Sequence, residues 1–180
     1  MRKSPLTCLF RIAKTGVVIG LAGGVAEIVW IAIYGNLAAV DAINVAAAVS
    51  ATIALALPDI LPVSVAALSG IAIHMVLAIG LGIALAFVWF SAAGRRSRQF
   101  NEYAFMVAAL IAVWSLNFFV VLPLVNPAFV KLVPYPVSLV SKILFGLSGA
   151  AVLQHCMSGW ATPMPFRALT RRNDKKDRPS

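Results

Sequence analysis

The chain has 180 residues, of which 61% are hydrophobic and only 12% charged, and its mean hydropathy is +0.93. A soluble domain carries about 25% charged residues, so the composition excludes an ordinary water-soluble globule and makes the bilayer the solvent for most of the chain. The formal charge of +9 would point to nucleic acid in a soluble protein, but here the basic residues border apolar runs, a topology signal, and no nucleic-acid partner is expected.

In chain order, residues 1–14 form a basic N-terminus with Arg2, Lys3, Arg11 and Lys14. The apolar run Thr15 to Tyr34 follows, long enough for a helix to cross the hydrocarbon core. Residues 1–30 resemble a secretory signal at first sight, with a basic start and the small-residue stretch LAGGVA, but the apolar run continues through Glu27 to Tyr34, longer than an h-region, so an uncleaved span is expected. Ala42 to Leu57 (AINVAAAVSATIALAL) is uncharged but short, and Asp41, Pro58, Asp59 and Pro62 bound it. Val65 to Ala92 is the second long run, and the turn GRRSRQFNEY (94–103) leads to the third, Tyr103 to Val125. The segment NPAFVKLVPYP (126–136) reads as an interfacial loop anchored by Phe129 and Tyr135. Val137 to Met157 is the fourth long run, and residues 158–180 form a basic tail that reads as a lipid-attracted end.

Hydropathy alone permits four or five spans. Thirteen of the fifteen Lys and Arg residues lie in three clusters: the N-terminus, Arg95/Arg96/Arg98, and the tail. Placing all three on the cytoplasmic side requires four crossings, with both termini cytoplasmic. Ala42 to Leu57 must then begin and end on the outer side, as a re-entrant or outer-surface helix. The expected fold is therefore an all-α, integral-membrane four-helix bundle with one short non-crossing helix, forming a single domain over residues 15–157. Cys8 and Cys156 fall at cytoplasmic span ends as reduced thiols, with no disulfide framework or CxxC pair.

Four polar residues sit within the spans. At 1.5 Å per residue, Glu27 lies roughly 10 Å below Tyr34, His74 roughly 13 Å below Val65, Asn117 roughly 12 Å below Val125 and Lys142 roughly 7 Å below Val137. All four fall in the outer half, each from a different span. Such residues are costly in lipid and tend to find one another or a water-filled cavity, so a shared cluster is expected. Helical spacing agrees: Gly16, Gly20 and Gly24 form a four-spaced stripe and Glu27 falls seven residues after Gly20, while Gly70, His74, Ala78, Gly82 and Ala86 form a second stripe. Lys142, Gly146, Ala150 and Gln154 make a weaker one, with Ser138 and Ser141 adding hydroxyls nearby. Each residue also has a plainer reading: His74 and Asn117 as interhelical hydrogen-bond glue, and Lys142 as a side chain that snorkels to the interface. Glu27 is the hardest to dismiss, because its charged form needs His74, Lys142 or water.

Familiar chemical constellations are missing. The only other histidine, His155, lies near the opposite membrane face from His74, which argues against a b-haem. His74 and Glu27 with Asn117 fall short of a zinc or copper ligand set. No P-loop and no Ser-His-acid arrangement is legible. No cofactor, metal or catalytic residue is expected.

The pairing of GIAIHMVLAIGLGIALAF with NFFVVLPLVNPAFVKLVP, after a glycine-rich span and AINVAAAV, resembles a group of uncharacterised bacterial inner-membrane proteins of about this size. The resemblance covers most of residues 15–157, with His74, Asn117, Pro123 and Pro127 as matching positions. It implies a four-span bacterial membrane protein and no activity. Two functions remain: a non-catalytic accessory subunit that packs against a homo- or hetero-oligomeric partner, and a conduit for a proton, ion or small solute lined by the cluster. An enzyme acting on a quinone or other lipid-soluble substrate ranks below both, because no redox centre is visible.

Overall fold

The structure is a computed structural model that describes residues 5–38, 42–54, 62–96, 101–125 and 133–158. The expectations for Asp41, Pro58, Asp59, Arg98, Pro127, Phe129 and the tail beyond Ser158 fall outside the described residues.

Every described element is helical: α1 (Pro5–Ala38), α2 (Ala42–Ala54), α3 (Val63–Arg96), α4 (Glu102–Leu116), a π turn (Asn117–Val121) that runs into α5 (Leu122–Val125), and α6 (Tyr135–Ser158). A chain this apolar cannot leave backbone groups unpaired in lipid, and a helix satisfies them within each segment. The polar and proline residues mark where helices start. The Pro62 carbonyl accepts from Val65 and Ala66 N–H at 2.9 and 3.0 Å, opening α3. The Asn101 side chain accepts from Tyr103 N–H at 2.9 Å, capping α4. Pro136 sits in the first turn of α6, where a missing N–H costs nothing.

Four helices are long and apolar enough to cross a membrane: Leu6–Ala38, Val63–Ala92, Glu102–Val125 and Tyr135–Ser158. They are longer than the apolar runs that announce them, most of all α1, which carries Arg11 and Lys14 within its helix. α2, with 13 residues, reaches only about 20 Å, short of the roughly 30 Å hydrocarbon core. It packs along α3. This is the expected four-helix bundle with one short helix that does not cross.

The topology is up-down-up-down. A Cβ on Gly20 would meet Ile79 Cα at 2.5 Å, and one on Gly24 would meet Met75 Sδ at 2.9 Å, so α1 and α3 run antiparallel with backbones in contact. α1 also runs antiparallel to α6, with Gly23 under the Phe145 ring and Gly149 facing Ile19. α4 pairs with α6, from Tyr103–Gln154 at one end to Trp114–Ser138 at the other. The spatial order is α3, α1, α6, α4.

α3 and α4, at the ends of that order, do not pack along their length. They approach near the terminal end, where the Trp89 and Phe105 rings lie 5.2 Å apart. There Ile19, Leu85, Met106, Leu110, Phe145 and Leu153 form a closed apolar layer drawn from all four long helices. Toward the α2 end a second, smaller apolar cluster joins α4 and its π turn to α6, with Trp114, Phe118 and Leu122 against Leu139. The space between is a cavity.

Candidate functional site

The cavity measures about 700 Å³ and is walled by α1, α2, α3, α4 with its π turn, and α6. Its lining is almost wholly apolar, with Glu27, His74, Asn117, Ser138, Ser141 and Lys142 as the polar members. The volume falls within the range of small-molecule sites, and an apolar pocket with a few convergent polar groups is the usual form of one.

Glu27 is the centre. It is only 3% exposed, and it is buried because the glycine stripe on its face of α1 draws α3 close while Gly23, on the neighbouring face, admits Phe145 of α6. Lys142 Nζ lies 2.5 Å from Glu27 Oε1. Ser141, one residue earlier on α6, is 3.3 Å from the same oxygen, but its hydroxyl also donates to the Ser138 carbonyl at 2.8 Å. The single proton favours the shorter bond, so Ser141 is a secondary arm on the carboxylate. His74 Nε2 stands 3.4 Å from Glu27 Oε2. That is ion-pair range without hydrogen-bond alignment, and Nε2 has no hydrogen-bond partner. The Gly24 backbone lies within hydrogen-bonding range of the same ring.

Of the four intramembrane polar residues singled out from the sequence, Glu27, His74 and Lys142 thus meet around one carboxylate. Asn117 lines the same cavity but makes no side-chain hydrogen bond among the described residues. Lys142 does not snorkel: its ammonium turns inward because a nearly dry carboxylate is within reach. Glu27 and His74 are neighbours, yet Lys142 is the closer partner of the carboxylate.

The π turn at Asn117 follows from Pro123. Proline has no N–H to give the Phe119 carbonyl four residues back, and its ring crowds that carbonyl, so the helix widens. The Leu122 N–H bonds instead to the Asn117 carbonyl. Such widened turns recur at functional sites.

Three further side chains brace the site. The Trp114 indole donates to Ser138 Oγ at 2.9 Å, and that hydroxyl donates to the Tyr135 carbonyl at 3.0 Å. The Trp30 indole donates to the Val137 carbonyl at 2.9 Å, tying α1 to the start of α6. Trp30 escaped the sequence reading because tryptophan near a span end has a ready alternative in the interfacial belt, and Trp114, at mid-span, because an apolar run gives no sign of which side chain its indole N–H will meet. No group of three His, Cys, Asp or Glu side chains among the described residues is placed to hold a metal ion.

No protein-family description, curated protein or solved structure matches this chain. Its class is that of a multi-pass membrane protein, by its four apolar helices, and function has to be argued from the site.

Proposed function

We propose that this chain is a non-catalytic accessory subunit of a bacterial inner-membrane assembly, with both termini cytoplasmic and the cavity in the outer half of the bilayer. The observation that carries the subunit reading is the outward face of α3. Gly80 and Ala84 are exposed there at a spacing of four, after Val76, and a Cβ on Gly80 would meet nothing within 4 Å. Small residues at this spacing let another helix approach closely. The stripe buried within the bundle already serves α1, so this second one is available to a neighbouring chain. The polar cluster braces the bundle from inside: Lys142 pairs with Glu27 in place, and an apolar layer drawn from all four long helices lies beneath them among the described residues.

The conduit reading stays second because the cavity does reach the cluster. One preparation tests both. Purified in mild detergent, the protein should migrate with a second copy or another chain, and Gly80→Trp should release it without lowering its thermal midpoint. In liposomes, neither the wild type nor folded Glu27→Gln should carry protons or ions. A lone wild-type chain overturns the subunit reading, and wild-type flux abolished by Glu27→Gln at unchanged stability establishes the conduit.

Orientation is checked separately, from the basic clusters. Reporters after Ser180 and within residues 95–98 should be cytoplasmic, and those within 126–136 and near Pro58 periplasmic. A cytoplasmic reporter near Pro58 contradicts this orientation.

A further inference from the structure

The cavity has a sideways mouth. Leu77 on α3, Val113 on α4 and Val121 at the end of the π turn all line it and stand 58%, 37% and 41% exposed. These residues border the gap left where α3 and α4 fail to pack. In a protein whose long helices are bathed in lipid, that gap faces acyl chains, and a molecule entering through it comes from the bilayer. α2 supplies another wall with Ala42, Ile43, Val45, Ala46 and Val49, of which Ile43 is 52% exposed.

The polar lining of the cavity sets what can stay. Glu27 and Lys142 cancel each other's charge at 2.5 Å. An anionic head would bring a second negative charge to Glu27, and a cationic one a second positive charge to Lys142, both in a setting of low dielectric. A neutral head avoids both penalties. Two hydrogen-bonding groups are available to it. The Asn117 carboxamide, free of partners among the described residues, can donate and accept, and the Lys142 ammonium keeps N–H donors beyond the one spent on Glu27. Asn117 stands at the first position of the π turn, so the widened backbone lies where the unpaired carboxamide does.

We infer that the cavity is a binding site, entered sideways from the bilayer between α3 and α4, for a lipophilic molecule with a neutral carbonyl or hydroxyl head. The head lies against Asn117 and Lys142, and the apolar body fills the space toward α2. The inference stands apart from the subunit reading, since a lone chain would bind as well as an assembled one.

Trp114 lines the cavity, so intrinsic fluorescence reports occupancy. Decylubiquinone, a carbonyl-headed quencher, should quench the purified wild-type protein saturably, and decanol, a hydroxyl-headed competitor, should reverse the quenching. Decanoate, decylamine and decane share the tail but carry an anionic, a cationic and no head, and should compete at least about tenfold more weakly, the scale of one well-made hydrogen bond. Asn117→Leu should weaken quinone binding by a similar factor. Val113→Trp should abolish it by filling the mouth, with the thermal midpoint of both variants held near that of the wild type. Non-saturable quenching equal in wild type and Val113→Trp would mean partition into detergent and no site. Decane competing as well as decanol would mean a groove for lipid chains without head recognition, and decanoate competing best would mean an anion site at Lys142. Any of these overturns the proposal.

Discussion

Gly82→Leu should unfold or splay the bundle, whereas Gly80→Leu, two residues away on the same helix, should leave it intact. A Cβ on Gly82 would stand 2.7 Å from Gly20 Cα and closer still to the Gly20 nitrogen and the Gly16 carbonyl oxygen, while a Cβ on Gly80 would meet nothing within 4 Å. The obstructing atoms at Gly82 are backbone atoms of α1, which no rotamer change can move aside. α1 and α3 would have to separate, losing the close contact that also sets Glu27 against His74. Overpacking of this kind costs about 3 kcal/mol, at the upper end of the usual range. Thermal or denaturant unfolding of the two variants in the same detergent checks it, and equal stability would show that the glycine contact does not hold the helices.

Lys142→Met should be the most damaging single change in the cluster, and more costly than Glu27→Gln. Removing the lysine leaves a carboxylate whose side chain is 4% exposed with only Ser141 at 3.3 Å and His74 at 3.4 Å. Breaking a buried pair by deleting one partner costs about 3–5 kcal/mol. Glu27→Gln keeps the shape and a hydrogen-bonding oxygen for the Lys142 ammonium, whose side chain is 20% exposed against 4% for Glu27. Its cost should be about 1–3 kcal/mol. The order of the two midpoints is the measurement. Lys142→Met no worse than Glu27→Gln would mean that the lysine is a bystander.

The spans, the short helix that does not cross and the buried faces of α1 and α3 were legible because they follow from local rules: length against bilayer thickness, and small residues at a spacing of four. The common level of Glu27, His74 and Lys142 along the bundle was legible for the same reason, since a helix converts residue number into distance. Pairing was not. Depth placed Lys142 shallowest and within reach of the interface, and only the approach of α6 to α1, with Phe145 seated on Gly23, shows that its ammonium turns to Glu27. The cavity was also illegible, because it arises where α3 and α4 do not meet, and no pattern on either helix encodes a missing contact. The π turn lay between: Pro123 was plain in the sequence, but a proline in an apolar run can kink, end or widen a helix. Hydropathy also underestimated α1 at its start, since it reads the solvent around a segment and not the backbone hydrogen bonds that carry the helix past Arg11 and Lys14.

Lys142 and Glu27 hold α6 to α1 beside the cavity as one charge-neutral unit. A double-mutant cycle on Glu27→Gln and Lys142→Met, read by reversible unfolding in one detergent, measures that coupling. With 2.5 Å between the charged atoms, we expect a coupling of about 2 kcal/mol, so that the double variant loses less than the two single variants' losses added together. Strictly additive losses would contradict it.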